Sequence, residues 1–211
     1  MQHLKAVLMD ETGVDRALKR ISHEILEKNQ GSSDLCLLGI KRRGVPLAEK
    51  IADYIFKIEG ERVPVGIIDT ALYRDDLNDV SSQTVLNSSQ IPFAVENKRV
   101  ILVDDVLFTG RTARAALEAV MRFGRPACIQ MAVLIDRGHR ELPIRGDYVG
   151  KNVPTAKNER VFVKIPPIDD ACSVELFGEY RPYPTLYYII RGKIKCPRFR
   201  KIKNFLGEKR K

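Results

Sequence analysis

The chain has 211 residues, of which 44% are hydrophobic, so it can bury one sizeable core, and nothing in its composition suggests two. No apolar run approaches the ~20 residues of a membrane span, and the first residues, MQHLKAVLMDE, lack a signal-peptide core, so we expect a cytoplasmic protein without membrane contact. Four widely spaced cysteines, with no CxxC pair or Cys/His cluster, argue against a zinc site and a disulfide framework.

The net charge of +9 is concentrated at one end of the chain. From residue 177 onward, 11 Lys and Arg face 2 acids, while residues 1–176 are balanced at 25 basic and 25 acidic side chains. If the body of the protein binds nucleic acid, it must do so through a local arrangement of charges. For the basic tail we weigh an adventitious extension, which we favour, against a membrane-surface or partner helix and an RNA-binding arm.

The first predicted element is an amphipathic helix from Val14 to Asn29, with Gly31 as its C-terminal signal. Apolar residues fall on one face of this helix, and basic residues fall on the other at spacings of three and four. The basic set is Arg16, Lys19, Arg20 and His23. On residue types alone, this is a solvated helix face.

Two buried strands are predicted next, at Leu35–Ile40 and Val63–Ile68. A basic turn follows the first strand and precedes a helix opened by Pro46. The turn consists of Lys41, Arg42, Arg43 and Gly44. Cations beside a glycine at the carboxyl end of a strand suit anion binding in an open α/β sheet, and the alternative is an exposed basic turn. Residues 69–97 are polar, so we expect a mobile loop there, or else an exposed β-ribbon.

The most informative stretch spans residues 99–117, RVILVDDVLFTGRTARAAL. The apolar run Val100–Val103 predicts a strand buried on both faces of a parallel sheet, and the carboxylates of Asp104 and Asp105 follow it. A small polar turn, Thr109–Thr112, precedes a helix, so free backbone N–H groups and two hydroxyls can hold a phosphate. The carboxylates suit vicinal hydroxyls or a hydrated Mg²⁺, so a phosphorylated sugar would fit both the carboxylate pair and the phosphate-binding turn. The simpler alternative is solvated carboxylates beside a helix N-cap.

A further strand is predicted at Ala127–Ile135, followed by an irregular, charged segment from Asp136 to about Arg160. His139 lies in this segment and is a possible general base by residue type. Because no acidic partner stands at a fixed spacing from it, we expect a structural or hydrogen-bonding role instead.

The motif VILVDDVLFTGRT resembles the phosphoribosyl pyrophosphate (PRPP) motif of type I phosphoribosyltransferases. Its details resemble the PyrR family of bifunctional pyrimidine-operon attenuators and uracil phosphoribosyltransferases. The similarity includes GIKRRGVPLA at 39–48, DTALYRDDL at 69–77 and LIDRGHRELPIRGDYVGKNVPT at 134–155, and it ends near residue 176.

The resemblance implies an α/β type I phosphoribosyltransferase fold with a mainly parallel, twisted sheet flanked by helices. The domain would span 1–176, with a small hood at about 136–160, and 177–211 would be a basic extension of unknown role. The family also implies a homo-oligomer.

The activity implied by the resemblance joins uracil to PRPP, giving UMP and diphosphate, with Mg²⁺ as the cofactor. Asp104 and Asp105 would hold the ribose hydroxyls, directly or through Mg²⁺, and would act with Arg74 of a closing loop as the catalytic residues. Arg42 and Arg43 would bind the diphosphate. The rest of the PRPP and nucleotide site would be Val106, Leu107, Phe108, Thr109, Gly110, Arg111 and Thr112.

Phe108 bears on the choice of base. Purine-type relatives resemble this stretch but carry an Asp at that position, which can interact with a ring nitrogen as its proton leaves. Phe108 cannot transfer a proton, so it favours the smaller pyrimidine ring, with a purine-type enzyme as the alternative. Arg137, and backbone near Val161, would recognise uracil.

In PyrR-like proteins, the basic helix face and the charged segment after residue 139 contribute to an RNA surface. The residues implied here are Arg16, Lys19, His23, Arg145 and Lys151. UMP or UTP in the nucleotide site would raise the affinity for a stem-loop of pyrimidine-operon (pyr) mRNA, and this coupling must be reciprocal. Lys19 stands where relatives often carry Thr, so one alternative is a uracil salvage enzyme without RNA binding. Another alternative is a regulator with negligible turnover.

Overall fold

The computed structural model describes residues 2–70 and 89–179. Within it, Leu4–Gly178 form one compact unit, and the chain ends are grouped separately. Arg74 and nearly all of the basic extension lie outside the described residues. None of the helices in the described ranges is long and apolar enough to cross a membrane.

Eight strands and three helices are described. In chain order they are β1 (Gln2–Met9), α1 (Glu11–Asn29), β2 (Leu35–Ile40), α2 (Gly44–Glu59), β3 (Val65–Ile68), β4 (Arg99–Leu107), α3 (Arg111–Met121), β5 (Cys128–Asp136), β6 (Tyr148–Asn152), β7 (Arg160–Lys164) and β8 (Ser173–Glu179). Five strands form a parallel sheet in the order β3-β2-β4-β5-β6, with β4 at its centre. The predicted α/β class with a parallel sheet is confirmed.

Helices cover both faces of the parallel sheet, which explains why β2 is apolar throughout and why β4 has an apolar run from Val100 to Val103. In β2, Leu35 and Leu37 pack with α1 and α2, whereas Cys36 and Leu38 pack with α3 on the opposite face. Successive side chains of a strand point to opposite faces, so every residue of β2 is buried. The buried middle of this sheet supports the loops at its carboxyl edge.

The start of α1 lies earlier than the predicted Val14. The side chain of Asp10 accepts a hydrogen bond from the backbone N–H of Gly13 at 2.7 Å, so it caps the helix and Glu11 becomes the first helical residue. At the other end, the N–H of Gly31 donates to the carbonyl of Leu26 at 2.9 Å, as expected of a glycine C-terminal signal.

Two predictions about regular structure are wrong. Asp104 and Asp105 do not follow a strand but lie within β4, which continues to Leu107. The segment from 136 to 160 is not irregular throughout, because it contains β6, the fifth strand of the parallel sheet. Parallel pairing with β5 and packing against α1 stabilise this short strand, and neither contact is visible in the local sequence.

A second sheet has the strand order β1-β8-β7. β7 and β8 pair antiparallel, with Arg160 opposite Phe177 and Lys164 opposite Ser173. The resemblance ends at 176, but β8 runs to Glu179, so regular structure continues beyond the predicted end of the domain.

Candidate active site

A cavity of about 450 Å³ lies at the carboxyl end of β4, where an open parallel sheet binds ligands. Its lining brings together most of the residues predicted for the PRPP and nucleotide site. It is formed by Asp104, Val106, Leu107, Phe108, Thr109, Gly110, Arg111, Thr112, Ala113 and Glu141. Of these, Ala113 and Glu141 were not predicted.

The two adjacent carboxylates are held close to the strand backbone. Asp104, only 8% exposed, accepts a hydrogen bond from the N–H of Asp105 at 2.9 Å. Asp105 in turn accepts one from the N–H of Val106 at 2.8 Å. Burial raises the pKa of Asp105, and its backbone hydrogen bond and the charge of Arg43 partly offset that rise. A bound hydroxyl or cation would compensate the desolvation of this carboxylate.

The turn between β4 and α3 depends on a glycine. Gly110 has φ +94°, a left-handed conformation that favours glycine, and a Cβ there would lie 3.4 Å from the Cβ of Leu142. The N-cap residue of α3, Gly110, has no side chain to accept a hydrogen bond, and the N–H of Arg111 donates to the hydroxyl of Thr109 at 3.4 Å. The guanidinium of Arg111 pairs with Glu141 at 2.7 Å across the cavity wall.

Arg140, which the sequence did not single out, ties the following loop to this turn. Its Nη1 donates to the carbonyl of Phe108 at 2.7 Å, its Nε donates to the carbonyl of Ile144 at 2.8 Å, and its Nη2 pairs with Asp136. The N–H of Glu141 also donates to the carbonyl of Thr109 at 2.9 Å. The turn is therefore held in place by a segment that lies about 30 residues further along the chain.

The basic turn after β2 reaches the same edge of the sheet. Gly44 packs so closely on β4 that a Cβ there would lie 2.2 Å from the carbonyl oxygen of Val103. Arg43 makes a two-pronged ion pair with Asp169, whereas Arg42 is exposed. The structure thus places Arg43 near the acid pair, and it adds Asp169, a residue that sequence reasoning missed.

Arg137 and Val161 were predicted to recognise uracil. Arg137 is 6% exposed, and its guanidinium carbon lies 4.1 Å from the centre of the Phe108 ring. Its Nε donates to the hydroxyl of Thr155 at 3.1 Å and its Nη2 to the carbonyl of Glu159 at 2.7 Å, while burial lowers its pKa. The structure therefore shows Arg137 bracing the turn at 155–159 against Phe108. Val161 lies in β7, outside the cavity lining.

His139 makes the kind of contact expected of a structural residue. Its Nε2 lies 2.6 Å from the carbonyl oxygen of Thr155, and its ring packs edge-on against Phe108 with centroids 5.8 Å apart. The predicted hydrogen-bonding role is confirmed.

A second groove, of about 660 Å³, separates the end of β1 and the start of α1 from β6. Arg16, Arg20 and Lys151 line it together, although Lys151 is far from the other two in sequence. Arg20 donates to the carbonyl of Gly150 at 2.6 Å, and Lys151 donates to that of Leu8 at 2.9 Å. Two predicted RNA-binding residues, Arg16 and Lys151, therefore share one basic groove.

The other predicted RNA-binding residues lie outside this groove. Lys19 pairs with Asp15 at 2.8 Å and lies 5.5 Å from the ring centre of Tyr54, so it contacts the α2 side of the helix. His23 and Arg145 are exposed and do not line the groove.

Comparison with known proteins agrees with this architecture. A model of the phosphoribosyl transferase domain matches residues 8–167. The fold is similar to that of a hypoxanthine phosphoribosyltransferase from Trypanosoma cruzi, with a TM-score of 0.66 at 19% identity over 85% of this chain and 96% of that one. A hypoxanthine-guanine phosphoribosyltransferase from Bacillus anthracis gives 0.61 at 16% identity over 82% and 98%. The fold and the matched domain define a type I phosphoribosyltransferase.

Similarity in sequence is much closer to a narrower group. The bifunctional protein PyrR of Pelotomaculum thermopropionicum is 59% identical over 169 residues, which cover 80% of this chain and 93% of the relative. That of Clostridium perfringens strain 13 is 57% identical over 175 residues, covering 83% and 98%. The chain belongs to the PyrR family.

Proposed function

We propose that this protein regulates transcriptional attenuation of the pyr operon by binding its mRNA in a uridine-nucleotide-dependent manner, and that it also makes UMP from uracil and PRPP. The observation that carries the proposal is the cavity at the carboxyl end of β4 in a chain of the PyrR family. There Asp104 of the acid pair, the glycine turn and the first residues of α3 line one cavity. These features suit the hydroxyls and the phosphate of one ribose 5-phosphate.

In the proposed reaction, the bond from ribose C1 to diphosphate breaks, a bond to uracil N1 forms, and the N1 proton leaves to solvent. Asp104 and Asp105 orient the ribose through its hydroxyls, and the turn from Val106 to Thr112 holds the 5′-phosphate. Arg42 and Arg43 stabilise the departing diphosphate, with Arg74 as a further catalytic residue. The chain thus supplies positioning and charge stabilisation rather than a nucleophile.

Phosphoribosyltransferases generally use Mg²⁺ with PRPP. Within the described ranges, no group of three or more His, Cys, Asp and Glu side chains could hold a metal by itself. One or two carboxylates together with substrate phosphates are what Mg²⁺ ordinarily takes, so Asp104 and Asp105 fit an ion that arrives with PRPP. When bound, Mg²⁺ would neutralise charge on the diphosphate.

Uracil is the proposed acceptor base because Phe108 cannot take a proton from a purine ring. The stack of Arg137 on Phe108 would form part of the base pocket, with Arg137 and backbone near Val161 recognising uracil. Initial rates with uracil and with hypoxanthine, each with PRPP and Mg²⁺, test this assignment. A clear preference for uracil supports it, and a preference for hypoxanthine would make the protein a purine-type enzyme.

The proposed RNA surface comprises Arg16, Lys19, His23, Arg145 and Lys151. The groove that Arg16 and Lys151 share supports this surface, because the phosphate backbone of one RNA strand could contact both side chains. UMP and UTP are the proposed effectors, the protein acts in the cytoplasm where the mRNA is made, and the family implies a homo-oligomer. Titration with pyr mRNA separates this function from that of a uracil salvage enzyme without RNA binding, which would show no affinity for it.

A further inference from the structure

The ion pair between Arg43 and Asp169 fixes the orientation of the Arg43 guanidinium. Nε of Arg43 donates to one carboxylate oxygen at 3.0 Å, and Nη2 donates to the other at 2.9 Å. The pairing raises the pKa of Arg43 and lowers that of Asp169. A planar, two-pronged pair sets the orientation of a guanidinium more tightly than a single contact.

Asp169 is itself fixed by the backbone around it. Its Oδ2 accepts a hydrogen bond from the N–H of Ile165 at 3.1 Å, and its own N–H donates to the carbonyl of Ile165 at 3.0 Å. Ile165 is fully buried in the core. The carboxylate is therefore a fixed support, since moving it would require opening a turn anchored in the core.

The arrangement leaves one edge of the guanidinium available. A carboxylate bound to Nε and Nη2 occupies the side-on edge of the group, so the end-on edge, with an N–H of Nη1 and the second N–H of Nη2, is not taken by Asp169. The charge of Asp105 also raises the pKa of Arg43, so the guanidinium lies within electrostatic reach of the acid pair on β4. Gly44, packed against Val103, fixes the backbone next to Arg43.

We infer that Asp169 is a positioning residue for the diphosphate end of the active site. It holds the side-on edge of Arg43 so that the end-on edge, formed by Nη1 and Nη2, is presented to the diphosphate of PRPP. This inference rests on the proposed function, which assigns Arg43 to diphosphate. Asp169 lies 126 positions from Arg43 in the chain, and only the fold brings the two together.

The first test compares Asp169→Asn with Asp170→Asn in the full-length protein. Asn keeps the shape of the side chain but loses the charge, so Arg43 is no longer held at both donors. We expect the KM for PRPP and the inhibition constant of diphosphate to rise about tenfold in Asp169→Asn, with the KM for uracil nearly unchanged. Asp170 is exposed and has no ion pair within the described residues, so Asp170→Asn is the matched control.

A double-mutant cycle with Arg43→Ala separates positioning from general structural effects. Arg43→Ala alone should raise the KM for PRPP, and adding Asp169→Asn should raise it no further. Arg43→Lys serves as the second variant if Asp169→Asn does not fold, because it keeps the charge and loses the two-pronged pair. It should also raise the KM for PRPP.

The outcomes distinguish this inference from the proposed function. If Arg43→Ala leaves the KM for PRPP unchanged, the diphosphate assignment in the proposed function is wrong. Suppose instead that Arg43→Ala raises the KM for PRPP. If Asp169→Asn then has the same KM as Asp170→Asn, or Arg43→Lys the same KM as the unsubstituted protein, the positioning role is overturned and the proposed function stands. A further rise on adding Asp169→Asn to Arg43→Ala also overturns it.

Discussion

At the scale of single residues, the ionised carboxylate of Asp105, which the proposed reaction needs, lowers the stability of the fold. The carboxylate is partly buried beside Asp104, and burial raises its pKa. A raised pKa means that the folded state binds the proton more tightly than the unfolded chain does. The free energy of unfolding therefore falls as the pH rises from the unfolded pKa through the folded one, so at neutral pH the charged form lowers stability.

We expect Asp105→Asn to raise the midpoint of thermal unfolding at pH 7 and to lose function. The gain should shrink as the pH falls to the ordinary value of 3.8 and below, where the carboxyl becomes protonated in the folded and the unfolded chain alike. The kcat/KM for PRPP should fall about 10- to 100-fold with the loss of a charged hydrogen-bonding partner. Thermal scans across pH, with Asp170→Asn as control, measure the first effect; a loss of stability at pH 7 would contradict it.

The site residues that could be predicted from sequence are those that lie next to one another. Asp104, Asp105 and the turn that follows them form one contiguous motif, so their residue types and order were informative. Arg140 and Asp169 could not be found in this way, because their partners lie 32 and 126 positions away. Neither polar side chain belongs to a periodic pattern in the sequence.

At the scale of elements, the contact between α2 and β4 fixes the basic turn after β2. Gly44 starts α2 and lies against Val103, where a side chain has no room. The sequence predicts that this glycine helps the basic turn bind an anion. The structure gives a second reason for a glycine at this position, which is the close packing on β4. This contact sets where Arg43 stands relative to the acid pair.

Gly44→Ala should destabilise the protein more than Gly60→Ala does. The added Cβ at position 44 would lie 2.2 Å from a backbone carbonyl, so β4 or α2 must shift, at a cost of about 1–3 kcal/mol or more. Gly60 has φ +75° but open space around it, so its replacement should cost about 1 kcal/mol. Urea unfolding measures both, and equal costs would show that the contact is looser than described.

The basic groove between α1 and β6 leads to a prediction about RNA. Arg16→Gln and Lys151→Gln should each weaken binding of pyr mRNA and reduce the slope of its salt dependence by about one, as expected for a lost phosphate contact. Arg125→Gln, at an exposed position between α3 and β5, is the matched control. Salt titrations of RNA affinity decide the matter, and a slope unchanged from the control would remove these residues from the surface.

The groove also shows what local patterns miss. The basic face of α1 could be predicted from its spacing, but its partner could not. β6 is only five residues long, and its sequence, YVGKN, has no clear alternation. It becomes a strand because β5 offers it a parallel partner, so the approach of Lys151 to Arg16 follows from the fold.

At the scale of the whole molecule, the predicted domain end at 176 cuts through a strand. β8 pairs with β7 from Ser173 to Phe177, and the Phe162 and Phe177 rings pack edge-on with centroids 5.1 Å apart. We propose that the phosphoribosyltransferase domain extends through β8 and that the basic extension begins after it.

A chain ending at Glu179 should unfold cooperatively near the midpoint of the full chain, and one ending at Leu176 should unfold several degrees lower. The two differ only in residues 177–179, so the comparison measures what the end of β8 contributes, including the pairing of Phe177 with β7. Calorimetry of both truncated chains measures the difference. Equal midpoints would show that β8 adds no stability beyond Leu176.

The central claim is that one cavity binds the uridine nucleotide and thereby governs RNA binding. The most direct measurement is the Kd for a pyr mRNA stem-loop with and without saturating UMP, for the full chain and for Asp105→Asn. We predict that UMP lowers the Kd of the full chain by at least about fivefold and leaves that of Asp105→Asn unchanged. The same Kd with and without UMP in the full chain would contradict the account.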